Sequence, residues 1–139
     1  MQKPKKFILY IFANLILIVL LFFVNSLPIL NGAKYYEAYM DSYSSGNVLV
    51  LDGKNLIMPL NRKGECYTFS KFNFDVDGLI KSLQIKIMFT EEDSGGVSIY
   101  GYSSKIKYKK HINGKKINVH IRLNLETVKV GFPIIYGSF

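Results

Sequence analysis

The sequence predicts an α+β fold: an N-terminal transmembrane helix, then a small antiparallel sheet with one main helix packed on it. Three observations carry this. The run Phe7–Val24 holds no charge. Later runs, apolar around Asp52-Gly53 and alternating after Asn113-Gly114, flank dipeptides with hairpin turn chemistry. One stretch, after Asp75, places apolar residues at helical spacing.

The apolar run comes first. At about 1.5 Å per residue, eighteen to twenty helical residues nearly match a ~30 Å hydrocarbon core. Among these residues only Asn14 is strongly polar, and no polar face recurs at helical spacing. Lys3, Lys5 and Lys6 precede the run, and Lys34 is the sole cation from Asn25 to Gly53. The positive flank stays cytoplasmic, so residues 34–139 are expected outside a single-pass span. The run exceeds the ~7–15 apolar residues of a cleaved signal, which favours an anchor over residues 1–33. Val24-Asn25-Ser26 is a passable cleavage site and Asn31-Gly32-Ala33 a poor one, since Asn suits the outer position badly; cleavage would make the protein secreted.

The full chain has 139 residues and a formal charge of +8. Residues 34–139 suffice for one small domain with a modest core. Cys66 is the sole cysteine, so no intrachain disulfide is possible. In "GECYTF" it reads as a buried, inert thiol. The lack of disulfides suits a Gram-positive envelope.

Along the domain, Tyr35, Tyr36, Tyr39, Met40 and Tyr43 predict a short amphipathic helix over Ala33–Ser45, ended by Gly46-Asn47. Val48–Leu51 and Leu56–Leu60 predict a hairpin around Asp52-Gly53, with Pro59 at an edge or strand end. Glu65–Phe69 is a third strand. Val76, Leu79, Ile80, Leu83 and Ile87 form a helix face with Asp75 or Asp77 as N-cap, yet Leu83–Ile87 also alternates like a strand. The balance favours a helix over Asp77–Phe89, followed by an acidic loop at Glu91, Glu92 and Asp93.

Gly95-Gly96 breaks that element. Val97, Ile99 and Gly101 then alternate with Ser98, Tyr100 and Tyr102. Asn113-Gly114 marks a hairpin. From Lys116 to Leu125 the pattern puts Ile117, Val119, Ile121, Leu123 and Leu125 inward, and Asn118, His120, Arg122 and Asn124 outward. A last strand is expected to bend at Gly131 with positive φ and to lie at an edge by Pro133. Five or six short strands leave an edge to cover, which raises a possible homodimer.

The second half resembles the YwmB family of envelope-facing proteins from spore-forming Firmicutes. The similarity lies in "GGVSIYGYSSKI", "INGKKINVHIRLN" and "VKVGFPII", within about 74–139. Gly101, Tyr102, Ser103, Asn118, Arg122, Gly131, Pro133 and Ile134 fall on the family pattern. Phe132 stands where threonine is usual, and the chain ends Gly137-Ser138-Phe139 where the family tends to Glu-Tyr. The chain looks shorter than family members through much of their first half. The resemblance implies a fold like half of the TATA-box-binding protein, and a setting in sporulation. Such a likeness of fold carries no function by itself.

The candidate binding face is Tyr100, Tyr102, Lys107, Lys109, Lys110, Lys115, Lys116 and Arg122. Lys105 to Arg122 holds seven Lys or Arg and no acid. Such a face suits an anionic wall polymer or lipid headgroups; it also suits a solvated surface that resists aggregation. Tyrosines among lysines also resemble a nucleic-acid-binding sheet, but the predicted topology puts them outside the cytoplasm and no RNP motif is present. His111 and His120 lack HExxH or CxxC spacing, and there is no GxSxG or P-loop. No catalytic residue, metal ligand or cofactor site is therefore nominated. The sequence reads as a non-enzymatic interaction protein whose partners are the membrane and an envelope protein or anionic polymer.

Overall fold

The computed structural model describes residues 3–42, 46–51, 53 and 57–136. It has an N-terminal apolar helix α1 (Lys3–Ser26), then an antiparallel sheet with a second helix, hence α+β. Lys6–Ser26 is long and apolar enough to cross a membrane, and none of it is buried against the rest of the chain. The Asn14 amide donates to the Tyr10 carbonyl at 2.8 Å, so its polar group is engaged within the helix.

Strands β1 (Tyr35–Tyr39), β2 (Val48–Leu51), β3 (Gly64–Ser70), β4 (Lys86–Asp93) and β5 (Gly96–Tyr102) are followed by a short ribbon, β6 (Lys110–Ile112) and β7 (Lys115–Ile117). Strands β8 (Val119–Leu123) and β9 (Thr127–Phe132) complete the fold. Seven strands form one sheet in the order β2-β1-β3-β9-β8-β5-β4, more than the five or six expected. Asn113 and Gly114 turn the ribbon with φ of 50° and 72°, as a type I′ hairpin requires.

Three elements differ from expectation. Tyr35–Tyr39 is a strand instead of a helix, paired with β2 and β3. Both its faces are covered: Tyr36 enters one core and Tyr39 the other, so the aromatic spacing arose without a helix. Tyr43 to Ser45 lie outside the described residues. The expected Asp52-Gly53 hairpin is replaced by pairing of β2 with β1, and 57–59 form no strand. Asp52 and Lys54–Leu56 lie outside the described residues.

The third concerns 77–89. Helix α2 (Val76–Ser82) is shorter, with Asp75 as the N-cap accepting from the Gly78 amide at 2.9 Å. Gln84 then takes φ of 52°, and β4 starts at Lys86. Of Leu83–Ile87 only Lys86 and Ile87 enter β4, and the acids that follow would have opposed a helix C-terminus. Glu91, Glu92 and Asp93 therefore belong to β4, an edge strand, instead of a loop. Their charges and a register shift between Ile87 and Phe89 discourage further pairing there.

One face of the sheet carries Tyr67, Phe69, Ile121, Val128, Val130 and Phe132 under Leu79 of α2 and Ile85. Gly101 lies on this face, where a Cβ would come within 2.4 Å of Ile85. The opposite face is also covered, so Asn118, His120 and Arg122, expected outward, are buried, and Asn124 is half-buried. Asn118 exchanges bonds with the Ser103 backbone, and the Ile135 amide donates to His120 Nδ1 at 3.2 Å. Arg122 lies beneath the β4–β5 turn. Leu125, expected inward, is 88% exposed.

Strand β9 is central, so Pro133, just after it, does not mark an edge, and Pro59 lies in no strand. Gly131 pairs with Cys66 and His120 without a positive φ, so a bend is not what it supplies. It supplies space: residues 134–136 fold back over the sheet, and a Cβ would come within 2.6 Å of Ile134 backbone. Gly131→Val is therefore expected to cost about 1–3 kcal/mol through overpacking. Urea unfolding of the full chain in detergent checks it; an unchanged midpoint would mean the segment moves aside freely.

Candidate membrane-proximal site

The site sits where α1 meets the sheet. A helix ends with carbonyls that have no intrahelical partner, and its C-terminus carries partial negative charge. Arg62 supplies a cation there. Its Nη1 donates to the carbonyls of Asn25 and Pro59, both at 2.8 Å, and Nη2 donates to the Leu27 carbonyl at 3.0 Å. The Met58 amide donates to the Ser26 carbonyl at 2.7 Å. The domain thus caps the helix that precedes it.

Glu65, at the start of β3, holds Arg62 in place. Arg62 Nε lies 2.6 Å from Glu65 Oε1, and both side chains are almost fully buried. Tyr108 Oη donates to Oε1 at 2.9 Å, and Tyr67 Oη donates to Oε2. The Ile29 amide points at the same pair, 2.8 Å from Tyr67 Oη and 3.2 Å from Oε2. Burial, reinforced by the Glu65 charge, raises the pKa of both phenols. They stay protonated and donate, as an acceptor-only carboxylate requires.

Sequence reasoning missed this cluster. The bonds that tie it to the end of α1 and to Tyr108 span 35 to 43 residues, so no local pattern reveals them. One signal was available: a lone glutamate in a strand with no other charge, three residues after an arginine.

The sequence-predicted face is divided by the structure. Lys107, Lys109, Lys115 and Lys116 are exposed, whereas Lys110 is half-buried and donates to Tyr136 Oη at 3.1 Å. Arg122 is buried, 2.5 Å from Asp93, and donates also to Ser98 Oγ, so it leaves the face. That pairing holds the Asp93 carboxyl below the usual range. Tyr100 is stacked between Phe89 and His120, with centroids 4.5 and 4.3 Å away. Both faces of its ring are occupied, which leaves no platform for a base. Lys116 lies over Tyr102 at 4.8 Å and Lys115 over Phe89 at 5.4 Å.

His111 is exposed, while burial and the neighbouring Arg122 push the pKa of His120 down to about 4. Cys66 is buried, and desolvation pushes its thiol up to about 12, so it is not a reactive thiolate. No known protein family, curated protein or solved structure matches the chain.

Proposed function

We propose that this is a single-pass, membrane-anchored, non-enzymatic interaction protein of a Gram-positive cell envelope, with its sheet domain held outside and α1 retained. The observation that supports it is the Arg62–Glu65 cap on the end of α1. Cleavage after Ser26 would remove the Asn25 and Ser26 carbonyls from it. Cleavage after Ala33 would also remove Ile29 and Leu30, which pack on the core. An anchor joined this closely fixes the domain's orientation to the bilayer, whereas a flexible tether would not. Fractionation of tagged full-length protein tests the reading. The expected result is an uncleaved chain in the membrane fraction, with residues 34–139 digested by external protease. Intact chain in the soluble cytoplasm would overturn it.

The YwmB relationship, its sporulation setting and a TATA-box-binding-protein-like half over 74–139 are part of the proposal. In its favour, Gly101, Ser103, Asn118 and Arg122 all occupy buried positions that the fold depends on. The partner is an envelope protein or a second copy of the chain, and β2 offers an edge with Val50 63% exposed.

A second reading, an anionic-polymer binder, is favoured by the four exposed lysines without an intervening acid. Changing Lys107, Lys109, Lys115 and Lys116 to Gln should leave the unfolding midpoint within about 0.5 kcal/mol per site. Binding to teichoic-type polymer should fall steeply, as it should with added salt in the parent. Salt-insensitive binding would return the function to the apolar surface.

A further inference from the structure

Exposed apolar side chains gather where α1 leaves the membrane: Leu27 is 42%, Ile57 69% and Leu60 47% exposed. Leu60 shares a cleft of about 250 Å³ with Leu21, Phe22 and Asn25. Leu21 and Phe22 lie within the uncharged run that ends at Val24. At about 1.5 Å per residue they sit roughly 3–5 Å deeper than its end. A side chain that lines a cleft with these residues and Asn25 stands where the span emerges and faces its last apolar turn. The segment has no freedom to withdraw, because the Met58 amide is bonded to Ser26 and Arg62 grips Asn25, Leu27 and Pro59.

Just above it, a second cleft of about 290 Å³ joins Val24, Asn25, Leu27 and Pro28 to Lys105 and Lys107. These lysines therefore stand at the level of lipid headgroups. Lys105 Nζ donates to the Ser82 carbonyl at 2.7 Å, and Lys107 Nζ lies 5.2 Å from the centre of the Tyr108 ring. Each ammonium keeps further donors.

We infer that the 57–60 segment is a second membrane contact, with Ile57 and Leu60 among the acyl chains of the leaflet α1 exits into, and Lys105 and Lys107 facing its phosphates. The inference rests on α1 spanning the membrane. Apolar area on a surface already tethered at the interface enters lipid at little additional entropic cost. The lysines give the contact a preference for anionic lipid.

The chain has no tryptophan, so one introduced residue reports alone. Leu60→Trp, Phe22→Trp and Leu125→Trp would be placed singly in full-length protein. Each would be reconstituted in phosphatidylcholine–phosphatidylglycerol vesicles with brominated acyl chains. Leu125 lies near Thr127, which pairs with Ser70 at the end of β3 away from Glu65, about 17 Å along the strand. Leu60→Trp should be quenched at least half as strongly as Phe22→Trp, and Leu125→Trp hardly at all. Quenching of Leu60→Trp no greater than Leu125→Trp, with Phe22→Trp quenched, overturns the second contact and leaves the span standing. Loss of quenching at Phe22→Trp overturns both. Raising phosphatidylglycerol should deepen the quenching of Ile57→Trp in the parent but not with Lys105→Gln and Lys107→Gln present. An equal response in both backgrounds overturns the phosphate contact.

Discussion

Glu65→Ala is expected to destabilise the sheet domain by about 3–5 kcal/mol, the usual cost of removing one partner of a buried ion pair. The loss exceeds that of a single contact for a specific reason. Arg62 would keep a buried charge, and the phenols of Tyr67 and Tyr108 would lose the carboxylate they donate to. A domain of this size has a total stability of about 5–15 kcal/mol, so the variant should unfold near physiological temperature. Thermal unfolding of the full chain in detergent checks this. Replacing both Arg62 and Glu65 by apolar residues of similar volume should restore part of the loss, because the charge goes with its partner. A single variant that unfolds within about 1 kcal/mol of the parent would show that water enters the cluster. Loss of the cap should also make the 27–33 segment after α1 accessible to protease before the sheet unfolds, which limited proteolysis would read.

Stability should also fall as pH drops from 7 toward 4, by roughly 3 kcal/mol, because of His120. The sign follows from burial. The imidazole is under the Ile135 amide and stacked on Tyr100, and its pKa is lowered from 6.5 to about 4. Between those values the unfolded chain binds the extra proton and the folded chain does not. The contribution is therefore complete above about pH 6.5 and lost as pH falls through the folded value. Asp93 acts in the same direction but lower, since Arg122 holds its carboxyl charged below the ordinary range. Urea midpoints at pH 7, 5.5 and 4 measure the slope. His120→Gln should flatten it in that window; an undiminished slope would assign it to other groups.

Local chemistry was legible in the sequence. The Phe7–Val24 run, the Asn113-Gly114 hairpin, a helix cap at one of the two aspartates Asp75 and Asp77, and the inward set Ile117, Val119 and Ile121 each follow from neighbouring residues, and each holds in the structure. Covering by distant segments was not legible. Alternation separates the two faces of a strand, but it does not say whether a second layer lies over the polar one. Here residues 134–136 cover His120 and the β4–β5 turn covers Arg122, so polar residues that seemed solvent-facing became buried and hydrogen-bonded. For the same reason Tyr35–Tyr39, with both faces covered, resembled a helix. Gly131 is required by Ile134 and Ile135 folding back above it, which its own neighbours in a strand pattern do not reveal. The sequence by itself determined that a charge-free apolar helix precedes a small sheet domain with a basic hairpin. Only the tertiary structure decided that Arg62 and Glu65 join the two, because an ion pair gripping carbonyls 35 or more residues away exists only once the sheet has formed.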